Sequence, residues 1–366
     1  MITQIKDILV LRNSVKLSHV IEELVEERGL DRAVLSDIIC EGLLAAYKKK
    51  YPDVELKAEY DKKTDEVVIL AEKEVASVVK DELTQIGIRK ARAIDDTVSA
   101  GEKMWIPFTE PIGRIEILKA KQIIAQRIRA IEAMAVYEEF KPREGSIIAG
   151  VIHKIERSGI SVKLGEVFAF LPKSLMIPGD TSVIGYTVRA LLKEVLAEPR
   201  NDNQLILDRS SPQFLECLFE LEIPEIYEKL VEIKKIVRTA GYKSKVLVTS
   251  HDKNIDPVGA CIGFGGVRIK PILRELGTEK IDVIGVKDST QELIEEALKP
   301  AKVNKVEILD DKVAHVWLDA DQRSLAIGKM GQNIALACQL TGYQIALMGK
   351  ELGVEQEQLV DWNSEE

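Results

Sequence analysis

A short glycine-containing segment has the residue types of a phosphate-binding loop. Gly328-Lys329-Met330-Gly331 follows a short helical pattern that begins at Asp321, and Gln332 and Asn333 open a longer one. Two glycines three positions apart let the backbone approach a phosphate chain, and the next helix presents free N–H groups to it. Lys329 adds a cation at the same place, and Met330, Gln332 and Asn333 are further candidates for contact with a bound strand. By itself, this spacing fits an ordinary turn between two helices equally well.

The secondary-structure elements predicted around this loop occur in two consecutive copies. Each copy contains a helix, a β-hairpin, a glycine loop, a second helix and a strand. The predicted segments are 216–229, 231–238, 244–250, 263–266, a helix to Leu276 and 281–286 in the first copy, and 291–298, 303–309, 313–318, 328–331, a helix to Leu340 and 343–347 in the second. A repeat with glycines at matching places favours a functional loop over an incidental turn.

The loop of the first copy is Gly263-Phe264-Gly265-Gly266, and Arg268 and Lys270 lie on the first turns of the helix that follows. Lys243 and Lys245 stand at the start of the second hairpin strand, where they could also reach backbone phosphates. Each basic residue also fits the simpler interpretation of a solubilising surface charge. The glycines therefore carry the prediction of RNA-backbone binding in both copies.

Residues 143–209, which precede the repeats, are predicted to form five short strands punctuated by Gly, Pro and Asn, a pattern that fits an OB-type barrel. OB barrels bind single strands by stacking bases on aromatic side chains within a basic groove. Phe168 and Phe170 are two positions apart and so point to the same side of their strand. That side can also be the barrel core, which the pattern Val-Phe-Ala-Phe-Leu favours. The other candidates for this face are His153, Lys154, Arg157 and Arg209.

Upstream of the barrel the pattern is mostly helical. Apolar residues recur at spacings of three and four from 20 to 47 with a break at 29–31, which predicts two helices. A hairpin is predicted for 54–60 with 66–71, and one long helix from Ile115 to Tyr137. The expected fold is therefore multidomain α+β: a helix and hairpin domain with a long helix, a barrel, and two repeated units.

The remaining residues argue against catalysis, a cofactor or a metal site. No G-x-x-x-x-G-K-[ST] is present, and the segment from Gly263 fails the dinucleotide fingerprint at its third glycine. Catalytic signatures such as G-x-S-x-G and H-E-x-x-H are also missing. The cysteines and histidines are scattered without the spacing of metal ligands; they are Cys40, Cys217, Cys261, Cys338, His19, His153, His251 and His315. We expect a protein that is not an enzyme.

Composition narrows the class of protein further. A chain of 366 residues with 46% hydrophobic and 30% charged residues is too long for one core and indicates several domains. No apolar stretch approaches the roughly 20 residues of a membrane span, so we expect a cytoplasmic, unprocessed protein. The net charge of -9 argues against indiscriminate coating of nucleic acid, so any RNA site must be local. Acidic residues concentrate at 22–27 and 351–366, which suits a protein partner or solvent.

Over nearly its whole length the sequence resembles the NusA family of bacterial transcription termination and antitermination factors. The resemblance is carried by residues 120–122, 126–129, 136–140, 171–172, 223–226, 256–261, 279–282 and the second glycine loop. It implies four domains: an RNA polymerase-binding domain at 1–141, an OB-fold RNA-binding barrel of the ribosomal-protein S1 type at 142–211, a first KH domain at 212–288, and a second KH domain with a short acidic tail at 289–366. Both KH domains would be of the bacterial type (type II), in which the hairpin precedes the glycine loop.

By that resemblance, the first domain docks on core RNA polymerase near the RNA exit channel, while the barrel and both KH domains bind nascent single-stranded RNA. The implied function is that of a monomeric elongation factor that prolongs pausing, promotes intrinsic termination and joins other antitermination factors. The KH domains, joined only by residues 287–289, are expected to form a rigid pair with one continuous RNA track. The alternatives are an accessory of an RNA-processing enzyme and a ribosome-associated RNA-binding factor.

The sequence departs from the family pattern in three places. Gly265 replaces a usual basic residue, so phosphate contact at the first loop is expected to be weaker or to shift to Arg268. The start, from Met1 to Leu17, is longer than usual. The acidic carboxy-terminal repeats of some members are absent, and any autoinhibition that they provide is expected to be absent with them.

Overall fold

The computed structural model describes residues 31–61, 66–200, 203–309 and 312–349. The first helix predicted before Gly29, the long start, the turn at 62–65 and the acidic tail lie outside the described residues. The chain divides into two compact units between Ala135 and Val136. Among the described residues, no helix is long and apolar enough to cross a membrane.

The first unit combines helices with a four-stranded sheet. Helix α1 (Arg32–Lys50) begins where the Asp31 carboxylate accepts a hydrogen bond from the Ala33 N–H at 2.6 Å. Strands β1 (Leu56–Asp61) and β2 (Glu66–Ala76) form the predicted antiparallel hairpin. Strands β3 (Gln85–Gly87) and β4 (Lys103–Pro107), which were not predicted, also pair with β2, and the short helix α2 (Ile88–Arg92) follows β3.

Helix α3 (Arg114–Phe140) is the long helix that the sequence predicts. Its apolar residues recur at spacings of four, which places them on one face. In the core of the first unit, this face packs with one face of α1 and with β2; the core includes Leu35, Ile39, Leu43, Val67, Ile69, Ala120, Ile124 and Ile128.

The predicted barrel is confirmed. Strands β5 (Ile147–Ile155), β6 (Gly159–Leu164), β7 (Val167–Pro172), β8 (Thr187–Arg200) and β9 (Asn203–Asp208) close in the order β5-β6-β7-β9-β8. Alternate residues of each strand point inward, as a pleated strand requires. The interior contains Ile148, Ile152, Ile160, Val162, Ala169, Leu171, Leu192, Val195, Leu205 and Leu207.

The first repeated unit begins with two helices, α4 (Pro212–Glu222) and α5 (Pro224–Tyr227), where the sequence predicted one. Pro224 has no N–H to donate and disfavours helical backbone at Ile223, so the helix is interrupted there. Strands β10 (Val231–Thr239) and β11 (Lys243–Ser250) form the predicted hairpin. After helices α6 (Pro257–Ile262) and α7 (Ile269–Leu276), strand β12 (Lys280–Gly285) pairs with β11 in parallel.

The second unit repeats this arrangement. It contains α8 (Thr290–Ala297), the hairpin of β13 (Lys305–Ile308) and β14 (Val313–Leu318), helices α9 (Ala320–Ile327) and α10 (Gln332–Thr341), and β15 (Gln344–Gly349), which is parallel to β14. In both units the hairpin precedes the glycine loop. The predicted order of elements of a bacterial-type KH domain is therefore confirmed twice.

The barrel and the two KH domains share buried contacts. Ile177 and Leu191 of the barrel lie in one core cluster with Phe214 and Phe219 of α4. Val237 and Ile284 of the first KH domain lie in the core of the second, and α10 packs on β10 and β11. Because apolar interfaces resist rotation and separation, this packing supports the predicted rigid pair.

Candidate RNA interface

The two glycine loops have the same backbone course. We call residues 263–266 the first loop and residues 328–331 the second loop. Gly263 and Gly328 both have positive φ, 71° and 74°, with nearly extended ψ. Positive φ also occurs at Gly265 and Met330, at 62° and 54°, and at the glycine that ends each loop. In each loop, residues with positive φ lead directly into the N-terminus of a helix. This is the backbone geometry expected of an anion-binding turn.

Only glycine fits at the start of the second loop. A Cβ added to Gly328 would lie 2.7 Å from the Asn333 Cβ and 3.1 Å from the Asn333 backbone N. The chain therefore turns tightly against the first turn of α10. The side chains of Lys329 and Met330 point into solvent, with Met330 82% exposed. The loop thus offers a cation and a helix N-terminus on the same exposed tip.

The first loop has a different surface chemistry on the same backbone. Phe264 takes the place of Lys329 and is 100% exposed, and Val267 beside it is also exposed. The Arg268 guanidinium donates to the Glu225 carboxylate at 2.7 Å and to the Ala260 carbonyl at 2.8 Å. Lys270 is exposed on α7. Arg268 is therefore ion-paired and supports the loop from behind, and the ring of Phe264 forms the exposed tip.

Three residues that were predicted to contact RNA are buried in the structure. Lys245 has no exposed surface, and its ammonium lies 2.8 Å from the Asp282 carboxylate. Lys243 is also buried and lies 2.7 Å from the same carboxylate. Removal from water lowers the pKa of Lys245 to about 8, even with Asp282 beside it. Asn333 is buried as well, so none of the three can lie along an exposed RNA track.

Arg209 is the fourth predicted contact that proves to be buried. Its guanidinium is paired with Asp180 and Glu275 and donates to the Arg189 carbonyl. The sequence correctly predicted that Arg209 follows the last barrel strand. It did not show that the end of this strand packs against the first KH domain. Its role is therefore to join two domains.

The outer face of the barrel carries the aromatic candidate. Ala169 and Leu171 fill the interior, so Phe168 and Phe170 lie on the opposite side, and the core interpretation of this pair is wrong. The Phe168 ring lies 5.0 Å from the His153 ring, and both residues are exposed. Lys154 and Arg157 are exposed nearby along the chain, although Lys154 forms an ion pair with Glu156.

Lys163 is a further candidate residue that the sequence did not indicate. It lies directly across the β6–β7 ladder from Phe168 and is exposed. The available signal was the alternation of β6, in which Val162 points inward and its neighbours point outward. His153, Phe168 and Lys163 together form what we call the barrel face, which offers rings and a cation to a single strand.

A cleft of about 550 Å³ lies along β12 between the two KH domains, and the sequence did not indicate it. It is bounded by Asp256, Pro257 and Val258 at the start of α6, by residues 282–287 and by Glu296 and Lys299 of the second KH domain. β12 forms the edge of its sheet. Its outer backbone groups are therefore placed to hydrogen-bond a ligand in this cleft. Among the described residues, no group of three or more His, Cys, Asp or Glu side chains is arranged to hold a metal ion.

A closed barrel followed by two KH domains, each with a glycine loop on its surface, defines the class: a multidomain protein built from RNA-binding modules. Comparison with protein-family models agrees with each module. The NusA N-terminal domain matches residues 16–134, the S1 RNA binding domain 141–201, the NusA-like first KH domain 209–286 and the NusA-like second KH domain 290–353.

Relatives that match about nine tenths of this chain belong to the same family as these domain models. The transcription termination/antitermination protein NusA of Bacillus subtilis is 33% identical over 338 residues, which cover 90% of this chain and 91% of the relative. The protein of the same name from Thermus thermophilus is 36% identical, over 88% and 87% of the two chains. That from Rickettsia conorii is 34% identical, over 92% and 68%. The chain belongs to the NusA family.

Proposed function

We propose that this protein is a non-catalytic transcription elongation factor that binds core RNA polymerase and nascent single-stranded RNA. In this role it modulates pausing, intrinsic termination and antitermination together with other antitermination factors. The proposal is supported by the similarity to termination and antitermination proteins. We propose a cytoplasmic monomer with the polymerase-binding domain at 1–141, the barrel at 142–211 and the KH domains at 212–288 and 289–366.

The main observation that supports RNA binding is that the two loops share one backbone conformation. The same left-handed turn is built from two different sequences, and each turn delivers a helix N-terminus to the surface. In the second loop, Lys329 adds a charge where a phosphate would approach. These sites are local, which fits a chain whose net charge is negative.

We propose that the other surfaces bind bases. Phe264 would stack on a base at the first loop, because its ring is fully exposed at the tip. The β12 edge in the cleft would accept hydrogen bonds from a base and donate hydrogen bonds to it, and the rings of the barrel face would stack on bases further along the RNA strand. Gly266, Lys270, Gln332, Lys154 and Arg157 complete the proposed track, and Gly331, which is buried, shapes the second loop.

The decisive experiment uses the full chain with Lys329→Asp and Met330→Asp combined. Two carboxylates on this exposed tip would repel phosphates without disturbing the core, so affinity for single-stranded RNA should fall by more than about tenfold. Capture of core RNA polymerase should persist, because the substitutions lie far along the chain from the proposed polymerase-binding domain. Lys305→Asp, which reverses an exposed charge on β13 of the same KH domain, is the matched control.

Each arm of this experiment can contradict a different part of the proposal. Unchanged RNA affinity in the double variant would mean that the second loop is only a turn between helices. Failure of the wild-type chain to capture core polymerase would count against an elongation factor, whatever its RNA affinity. Association with ribosomal subunits instead would favour the ribosome-associated alternative.

A further inference from the structure

The second loop is held by one buried side chain that reaches across it. Asn333, on the first turn of α10, places its amide nitrogen 3.1 Å from the Ala326 carbonyl and 3.3 Å from the Leu325 carbonyl. These carbonyls belong to the last turn of α9, on the other side of the loop. Asn333 therefore ties together the two helices that the loop connects, and fixes the distance between them.

Asn333 also places its amide nitrogen 3.3 Å from the Leu298 carbonyl of the same KH domain, whereas its amide oxygen is bound from another domain. Its amide oxygen accepts from the ammonium of Lys243, at 3.1 Å, and Lys243 is the first residue of β11 in the first KH domain. An ammonium only donates and backbone carbonyls only accept, so this orientation of the amide satisfies both sides. Lys243 is itself held by the Asp282 carboxylate.

Tyr242, the residue before Lys243, contacts the second loop directly. The Tyr242 hydroxyl accepts a hydrogen bond from the Lys329 backbone N–H at 3.3 Å. Tyr242 is anchored in its own domain, because its carbonyl accepts from the Lys280 N–H at 3.0 Å and Glu279 holds the adjacent Gly241 N–H. Two consecutive residues of the first KH domain thus contact the second loop at Lys329 and the first turn of the helix that follows it at Asn333.

The first loop is supported in a different way. Arg268 occupies the position that Asn333 occupies in the second loop, and it also reaches back to a carbonyl of the preceding helix, that of Ala260. Its other partner is Glu225, on α5 of the same domain. The first loop is therefore completed within its own KH domain, whereas the second loop is completed by its neighbour.

We propose that Tyr242 and Lys243 are positioning residues for RNA binding at the second loop. The phosphate site of the second KH domain is then complete only while the first KH domain is packed against it. This inference rests on the proposed RNA binding by the second loop. It gives the rigid packing of the two domains a direct function in ligand binding, beyond the alignment of two independent sites.

The test measures single-stranded RNA affinity of the full chain with Lys243→Met or Tyr242→Phe. Lys243→Met leaves Asp282 paired with Lys245, and Tyr242→Phe removes only a hydroxyl. Each should weaken binding by about fivefold, the value of one typical hydrogen bond. The matched controls are Lys305→Met and Tyr227→Phe, which make the same changes at exposed positions and should leave affinity unchanged.

A double-mutant cycle separates positioning from other causes. In a chain that already carries Lys329→Asp and Met330→Asp, Lys243→Met and Tyr242→Phe should have no further effect, because the site that they position no longer binds. Amide hydrogen exchange at the Lys329 N–H should also become faster in Tyr242→Phe. General destabilisation would not confine the change to this loop.

The outcomes distinguish this inference from the proposed function. If the Lys329→Asp, Met330→Asp chain binds RNA normally, the second loop is not an RNA site and the proposed function fails there. If that chain loses affinity while Lys243→Met and Tyr242→Phe bind normally, the positioning role is wrong and the proposed function stands. Equal losses in both backgrounds would also overturn the inference, since the two residues would then act elsewhere.

Discussion

The Arg209 guanidinium lies 2.6 Å from Oε1 of Glu275, which pairs a residue at the end of the barrel with a helix of the first KH domain. The same guanidinium donates to Asp180 at 3.0 Å and lies over the Phe214 ring, 5.3 Å from its centroid. Only 3% of the side chain is exposed. One buried cation therefore joins acidic groups and an aromatic ring from two domains.

Arg209→Met should lower the free energy of unfolding by about 3 kcal/mol, because it leaves the carboxylates of Glu275 and Asp180 without their buried partner. Urea denaturation measures this loss. Arg189→Met is the control, since Arg189 is half-exposed and its ion pairs should contribute less than about 1 kcal/mol. The salt dependence of RNA binding should not change. A shallower salt dependence with normal stability would instead make Arg209 a phosphate contact.

Glu279→Gln should destabilise the first KH domain more than any single substitution on its surface. The Glu279 carboxylate accepts from Arg238 Nε and Nη2, both at 2.9 Å, and from the Gly241 N–H and the Ser244 hydroxyl. Both charged side chains are fully buried, so loss of one charge should cost about 3 to 5 kcal/mol. The urea midpoint reports the change.

The matched control for this prediction is Glu307→Gln. Glu307 pairs with Lys305 at the surface, where an ion pair contributes about 0 to 1 kcal/mol. Equal, small shifts of the urea midpoint in the two variants would show that the buried Arg238–Glu279 pair contributes no more to stability than a surface pair.

The stability contribution of Lys245 should depend on pH in an unusual direction. Burial lowers its pKa from the ordinary 10.5 to about 8 in the folded state, so the unfolded chain binds this proton more tightly. Deprotonation therefore makes the contribution of Lys245 to folding more favourable as the pH rises from about 8 toward 10.5. Below pH 8 the contribution stays at its least favourable value.

Comparison of the wild type with Lys245→Met isolates this titration. The neighbouring charges of Asp282 and Lys243 are present in both proteins, so their difference in free energy of unfolding should shift in favour of the wild type between pH 7.5 and pH 9.5. NMR titration of the Lys245 side chain should give a midpoint near 8. A constant difference together with a midpoint near 10.5 would contradict the prediction.

Phe264→Ala should weaken binding of single-stranded RNA by about tenfold, because one base loses its stacking partner. The slope of log affinity against log salt should stay the same, since no phosphate contact is lost. Phe264→Lys should steepen that slope by about 0.7, the value of one phosphate contact on a single strand. The fluorescence of a 2-aminopurine base in the RNA would report the stacking. Unchanged affinity in Phe264→Ala would show that the first loop does not hold a base.

Hydrophobic periodicity and turn residues were sufficient to predict the five barrel strands, the long helix and both KH repeats. These signals are local, because a strand or helix with one buried face repeats its apolar residues at a fixed spacing. The glycine loops were equally visible, since positive φ in a tight turn selects glycine in the sequence itself. Strands β3 and β4 escaped prediction because they are three and five residues long and pair with a strand that the sequence already assigned to a hairpin.

The burial of individual charges was decided only by the tertiary structure. Lys245 and Lys270 were both predicted to contact RNA in the first repeat, yet one has no exposed surface and the other lies in solvent. What separates them is Asp282, on a strand that becomes a neighbour of Lys245 only when β12 pairs with β11. Likewise, 90 residues separate Lys243 from Asn333 along the chain, and only domain packing joins them. Residue type and spacing thus determined which elements and loops form, whereas long-range pairing determined which cations remain free to meet RNA.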